Sequence, residues 1–249
     1  MSKLTDAFKN QKAFIPFVAA NDPDFEGTVN NVVALAKGGA DIVELGIPFS
    51  DPIADGPVIQ AADLRALKAD PDLPMDTIFD MVKEIRQQTD VPLAFLTYLN
   101  IVFQYGYDAF TARCEELGIY GLAIPDMPLE ERDELEPIAA KHHVDLIPLV
   151  TPISGDRIEK IAAAATGFIY VVSSLGVTGE RSEFANGLAD LVNRIRKVTD
   201  VPTAIGFGIH TPEQATEMAQ IADGAIVGSA CVNIVAEYGR QAPAKLTDY

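Results

Sequence analysis

Eight short apolar runs rich in strand-forming residues recur along the chain, at 14–19, 42–45, 91–97, 121–124, 144–149, 168–172, 201–205 and 224–227. Between them lie stretches with helical apolar spacing, such as Val29, Val32, Val33, Leu35 and Ala36, or Ile78, Phe79, Met81, Val82 and Ile85. Strict alternation of strand and helix requires parallel strands joined by right-handed crossovers. Eight such units in 249 residues, 48% of them hydrophobic, predict a single (β/α)8 TIM barrel. It would form one domain over residues 1–249, with a short extra helix at the N-terminus. A doubly wound open sheet is the alternative fold. The segments 85–92 and 195–202, Ile-Arg-Gln-Gln-Thr-Asp-Val-Pro and Ile-Arg-Lys-Val-Thr-Asp-Val-Pro, echo each other before strands three and seven. That spacing suits a half-barrel repeat, or two similar turns that arose separately.

The formal net charge of -17 opposes nucleic acid and anionic membrane surfaces, and no run of Lys or Arg offsets it. No stretch has the length of a signal peptide or a membrane span, so the expected location is the cytoplasm. Cys114 and Cys231 lie far apart in helical contexts and read as reduced core thiols.

Two gaps between strands exceed the rest, from Leu45 to Val91 and from Val172 to Val201. Both follow the C-terminal end of a strand, where barrel enzymes keep their chemistry. Glu44 ends the second strand on the same side as Ile42, so its carboxylate would enter an apolar interior. Such a group serves as an acid/base, with a pKa raised by burial, or else as a structural ion pair or cap. The following loop holds Pro48, Pro52, Gly56 and Pro57 and is more restricted than a solvated linker. Within it Asp51 reads as a turn former, while Asp55 fits either a turn or the site.

After strand seven, Gly206-Phe207-Gly208-Ile209 leads to a helix start with Thr211 as N-cap, Pro212 at its first position and Gln214 completing a capping box. Gly228-Ser229-Ala230 follows strand eight. Glycine turns at these two positions suit a phosphate cradle, or are simply tight turns; Gly179, after strand six, would be a third member. Of the three histidines only His210 nears the rim, so no metal-binding cluster exists, and no lysine ends a strand where a Schiff base would form. No nucleophile elbow or dinucleotide fingerprint is present. What remains is proton-transfer chemistry on a phosphorylated substrate.

The run Val43-Glu44-Leu45-Gly46-Ile47-Pro48-Phe49-Ser50-Asp51-Pro52-Ile53-Ala54-Asp55-Gly56-Pro57 resembles the signature of the tryptophan synthase α subunit family. The resemblance covers essentially the whole chain, including Phe14-Ile15-Pro16-Phe17, Tyr98-Leu99-Asn100, Gly176-Val177-Thr178-Gly179, Gly206-Phe207-Gly208-Ile209 and Gly228-Ser229. It implies aldol-type cleavage of indole-3-glycerol phosphate to indole and glyceraldehyde 3-phosphate, without metal or organic cofactor in this chain. Glu44 matches the family's acid/base residue. Asp55 matches the carboxylate that accepts the indole N–H and offsets charge as C3 is protonated. Tyr170 matches a tyrosine beside the catalytic carboxylate, and Thr178 a threonine that holds Asp55 when a lid closes. Phe17, Leu96, Ile124 and Phe207 would line the indole pocket, and Gly179, Gly208, Gly228 and Ser229 would bind phosphate.

The resemblance also implies a β subunit that carries pyridoxal phosphate, an α2β2 assembly, and Asp51 and Pro52 at the interface. Two departures stand out. Asn21 occupies a usual glycine position, where its tolerance of positive φ predicts a similar turn. The segment 68–74 is longer and more acidic than usual and would alter the partner surface. A stand-alone indole-glycerol-phosphate lyase would share every site residue. A phosphosugar isomerase would leave the loop around Asp55 unexplained, and a scaffold for a β-type partner would not need Glu44, Asp55 or the phosphate glycines.

Overall fold

The structure, a computed structural model, describes residues 2–172, 181–206 and 208–249, with 181–186 described in backbone only. Its strands are β1 Ala13–Ala19, β2 Val43–Gly46, β3 Leu93–Leu96, β4 Ile119–Ala123, β5 Asp145–Ile147, β6 Leu149–Val150, β7 Ile169–Val172, β8 Thr203–Gly206 and β9 Gly224–Val227. All pairings are parallel, in the order β5-β4-β3-β2-β1-β9-β8-β7-β6. The two ends of that order, β5 and β6, are consecutive pieces of one strand interrupted at Pro148. Proline has no N–H for the ladder, yet its carbonyl still accepts the Tyr170 amide at 2.9 Å. The sheet therefore closes on itself with the eight strand positions expected, as a TIM barrel.

Strands β3 and β8, the third and seventh of the expected eight, begin later than expected, at Leu93 and Thr203, because Pro92 and Pro202 cannot donate at those positions. The two echoing segments share one turn. Thr89 and Thr199 accept the amides of Val91 and Val201 through their hydroxyls, at 3.2 and 3.3 Å. The long gap after β2 is mostly helix, with Pro57–Ala69 and Met75–Arg86 in series. Residues 70–74 join them.

Inside the barrel, small Ala13, Ala94, Ala123 and Ala204 alternate with Ile15, Ile42, Ile147, Phe168 and Ile226, so that layers of side chains interdigitate. The expected N-terminal helix, Lys3–Asp6, adds fully buried Leu4 to this interior cluster. A second apolar layer, including Val29, Val32, Phe79, Val82 and Ile85, fills the space between strands and helices. Cys114 and Cys231 are free thiols buried there, and burial pushes both above the usual thiol range. Asn21 adopts φ +59°, the left-handed turn its composition allows, and donates from Nδ2 to Ala66 O at 3.1 Å.

Candidate active site

Glu44 sits on β2 in register with Phe17 of β1 and Ala94 of β3, so its neighbours along the sheet are apolar. Its side chain points inward and is 1% exposed, and Oε1 has no hydrogen-bond partner among the described residues. Desolvation first, and the charge of Asp55 second, raise its pKa to about 8. Near neutral pH the free chain therefore keeps a protonated acid here.

Asp55 reaches the same space from the loop that follows β2. That loop starts on the sheet, since Ile47 N donates to Leu96 O at 2.9 Å. It ends where Gly56 caps the helix Pro57–Ala69, with Pro57 at its first turn. Tyr98, just past β3, fixes the loop's middle. Its ring stacks on Phe49 at 5.0 Å between centroids, its oxygen accepts the Ala54 amide at 3.1 Å, and its hydroxyl donates to Asp55 Oδ2 at 2.8 Å. Burial raises the Asp55 pKa and the Tyr98 hydrogen bond opposes that rise, whereas burial pushes the Tyr98 phenol well up.

A third carboxyl was not foreseen. Asp63 lies on the buried face of the helix Pro57–Ala69 with Ala62 and Ala66, and burial, then Asp55, then Asp22, raise its pKa to about 8. An acid at helical spacing among small buried residues was the available signal. Asp22 itself is held by a bidentate pair with Arg65, at 3.0 and 2.8 Å.

On the opposite wall Tyr170 of β7 is 5% exposed, and desolvation, then Glu44 and Asp55, push its phenol well above the usual range. Gly206 makes room for it, because a Cβ there would lie 2.7 Å from the tyrosine ring. The first glycine of the Gly206-Phe207-Gly208 run thus answers a packing need. Gly208 holds φ +74°, which non-glycine residues rarely adopt. Thr211 caps the next helix, Pro212–Ile221, by accepting the Gln214 amide at 3.3 Å. Gln214 Oε1 accepts from His210 N at 2.8 Å, so the expected capping box closes one residue early. Gly228 and Ser229 open the helix Ser229–Tyr238, whose N-terminal amides face the same end of the barrel.

One cavity of about 430 Å³ collects these groups. Phe17, Glu44, Asp55, Leu96, Ile124, Tyr170, Gly208, Gly228 and Ser229 all line it, as do Ile59, Pro148 and Ile209. Thr178, Gly179 and Phe207 lie outside the described residues. Asp51 and Pro52 stand apart from the cavity on the loop's outer side, where Asp51 is exposed and accepts the Ser50 hydroxyl rather than bonding its own backbone. Among the described residues no group of three or more His, Cys, Asp or Glu gathers as metal ligands. The arrangement places a protonated acid and a second carboxyl over an apolar chamber, with glycine turns and a helix start at its far side. Such a site can move a proton on a flat apolar group whose tail is anionic.

A family model described as tryptophan synthase alpha chain matches residues 4–248. The chain is 66% identical over 249 residues to the tryptophan synthase alpha chain of Lacticaseibacillus casei, covering 100% of this chain and 93% of that one. It is 58% identical over 250 residues to that of Lactiplantibacillus plantarum, covering 100% and 94%. Its fold matches tryptophan synthase subunit alpha from Legionella pneumophila with TM-score 0.88 at 35% identity, over 99% and 94% of the two chains. It matches a chain of the Pyrococcus furiosus tryptophan synthase α2β2 complex with TM-score 0.88 at 36% identity, over 96% of each.

Proposed function

The chain belongs to the tryptophan synthase alpha chain family, and from that premise we propose how its own residues perform the family's reaction. The reaction is the cleavage of indole-3-glycerol phosphate to indole and glyceraldehyde 3-phosphate, a step of tryptophan biosynthesis. The observation that carries the assignment of roles is the buried, protonated Glu44 facing the same cavity as Asp55.

Glu44 gives its proton to C3 of the indole ring, which makes the ring an electron sink. The Glu44 carboxylate then takes the proton of the C3′ hydroxyl. The O–H electron pair forms the carbonyl of the departing aldehyde, and the pair of the breaking carbon–carbon bond restores the aromatic indole. The proton count closes on one residue, because Glu44 begins and ends as the acid. A carboxyl with a pKa near 8 suits both halves of that cycle.

Asp55 accepts the indole N–H and offsets the positive charge that develops as C3 is protonated. The Tyr98 hydrogen bond favours its ionised form. Phe17, Leu96 and Ile124 enclose the ring, Tyr170 packs beside Glu44, and Gly208, Gly228 and Ser229 hold the phosphate with Gly179. Thr178 and Phe207 keep the family roles expected of them, as lid hydroxyl and pocket wall.

The chain works as the α subunit of an α2β2 complex, and the pyridoxal phosphate of the enzyme is carried by the β subunit. Asp51 and Pro52 are proposed contacts of that interface; Ile53 beside them is 77% exposed, an apolar group that a partner would cover. A cytoplasmic location belongs to the same proposal, and among the described residues no helix is long and apolar enough to cross a membrane. The test is indole release from indole-3-glycerol phosphate, with and without a cognate β subunit. Slow release that rises with the partner and vanishes in Glu44→Gln supports the reading. Full activity in Glu44→Gln would overturn the role given to that residue.

A further inference from the structure

The cavity does not end at the indole pocket. Past Ile124 it continues between the segment after β4 and the segment after β6, where Met127, Leu129, Arg132, Thr151, Arg157 and Ile161 form its walls. Arg132 belongs to the short 3-10 turn Leu129–Glu134 and is only 5% exposed. Buried arginines are normally held by a carboxylate or by several carbonyls. Among the described residues Nε has no partner, and Nη1 reaches only Leu146 O at a long 3.4 Å. Among the described residues no carboxylate forms an ion pair with Arg132; burial lowers its pKa, and the charge of Glu136 opposes that only in part.

The other cation in this arm is already matched, since Arg157 pairs with Glu130. The two hydroxyls are engaged with each other, Thr151 Oγ1 and Ser154 Oγ lying 3.1 Å apart in a capping box. One positive charge that no described carboxylate hydrogen-bonds therefore lines an arm whose other polar groups are already engaged. The planar fork of a guanidinium suits a two-oxygen anion, and a single charge suits a monoanion better than a phosphate dianion. The substrate's own phosphate is expected at Gly208, Gly228 and Ser229, against other walls of the cavity.

We propose that this arm is an anion subsite for an aromatic monocarboxylate, with its carboxylate on the Arg132 guanidinium and its ring among Met127, Leu129 and Ile161. Occupancy would bring a second small acid next to the indole pocket and so connect the chain to the level of such acids. The proposal does not depend on the role given to Glu44.

The probe is benzoate, titrated into the full-length chain by ligand-detected NMR, with benzamide as the uncharged control and inorganic phosphate as competitor. Benzoate binds at least about tenfold more tightly than benzamide, and Arg132→Gln weakens it by at least about tenfold, the scale of a charged hydrogen bond. Arg132→Lys, which keeps the charge without the fork, falls between the two. Circular dichroism checks that each variant folds. If Arg132→Gln does not fold, the acid-to-amide ratio in the wild type and the Arg132→Lys value still decide. Equal binding of acid and amide, undiminished binding in Arg132→Gln, or displacement of benzoate by phosphate at lower concentration than benzoate itself would each overturn the assignment.

Discussion

Tyr98 donates to Asp55 Oδ2 at 2.8 Å while its oxygen accepts the Ala54 amide at 3.1 Å, so one phenol fixes both the backbone and the carboxyl of the loop after β2. Tyr98→Phe removes both contacts and keeps the ring that stacks on Phe49. A hydrogen bond to a charged group contributes about 1.5–3 kcal/mol, so kcat/KM for indole release should fall by roughly tenfold or more. The direction of the pH effect follows as well. Tyr98 lowers the Asp55 pKa against burial, so its loss moves the acidic limb of the pH–rate profile to higher pH. Steady-state rates between pH 5 and 9 would measure both; a slower enzyme with an unmoved limb would mean that Tyr98 only packs.

Glu44 makes folding itself depend on pH. Its pKa is about 8 in the folded chain against an ordinary value of 4.5, so between those values the folded state binds a proton that the unfolded state has released. Stability is therefore highest below the unfolded value, falls as pH rises through that window, and levels off above about 8. Glu44→Gln carries a neutral amide of the same shape and should remove this slope. Relative to wild type it gains on the order of a few kcal/mol between pH 5 and 8, even as it loses activity. Asp63→Asn should flatten the profile in the same sense, because Asp63 is raised in the same direction, also to about 8. Urea denaturation at a series of pH values reads both, and parallel profiles for wild type and Glu44→Gln would refute the buried-acid account.

The sequence made the barrel legible because period and alternation are local signals, and it made Glu44 legible because an acid at an inward strand position is itself anomalous. Tyr98 was within the matched run, yet nothing in the sequence distinguishes a phenol that anchors a loop from one that packs. Its partners, Ala54 and Asp55, are 44 and 43 residues away. Arg132 was missed for a different reason. A charged residue in an acidic stretch such as Leu129-Glu130-Glu131-Arg132 reads as solvated, and only the fold shows that the turn presses it inward. The division of labour between Gly206 and Gly208 was hidden too, because one glycine answers to a ring on the neighbouring strand and the other to its own φ.

Those two glycines should fail in different ways. A Cβ at Gly208 meets nothing within 4 Å among the described residues, so against them Gly208→Ala suffers from its φ of +74° alone. That conformation costs about 1–2 kcal/mol for an L-residue. Stability drops by about that amount, and the KM for indole-3-glycerol phosphate rises more than kcat falls, because the turn proposed to carry phosphate donors is displaced. A Cβ at Gly206 would collide with the Tyr170 ring at 2.7 Å, within a closed sheet that cannot shift. Gly206→Ala should instead lower kcat by displacing the tyrosine beside Glu44. Kinetics and denaturation on the two variants separate these outcomes, and identical losses in KM and kcat would contradict the assignment.

Asp22 and Arg65 form the bidentate pair that ties the turn after β1 to the helix carrying Asp63. The Asp22 side chain is 2% exposed and Arg65 36%, so the pair is buried on the acidic side and open on the basic side. Removing Arg65 leaves a carboxylate in an apolar place, which costs 3–5 kcal/mol when both partners are buried; with one partner partly solvated, Arg65→Met should lose about 2–3 kcal/mol. Most of that loss is the stranded charge. Asp22→Asn in the Arg65→Met background should therefore restore stability, whereas Asp22→Asn alone should destabilise. The charge of Asp22 also helps to raise Asp63, so Asp22→Asn should lower the Asp63 pKa and reduce its share of the pH slope. A double-mutant cycle repeated at pH 6 and pH 8 tests both claims together, and strictly additive losses at both would show that the pair does not act as a unit.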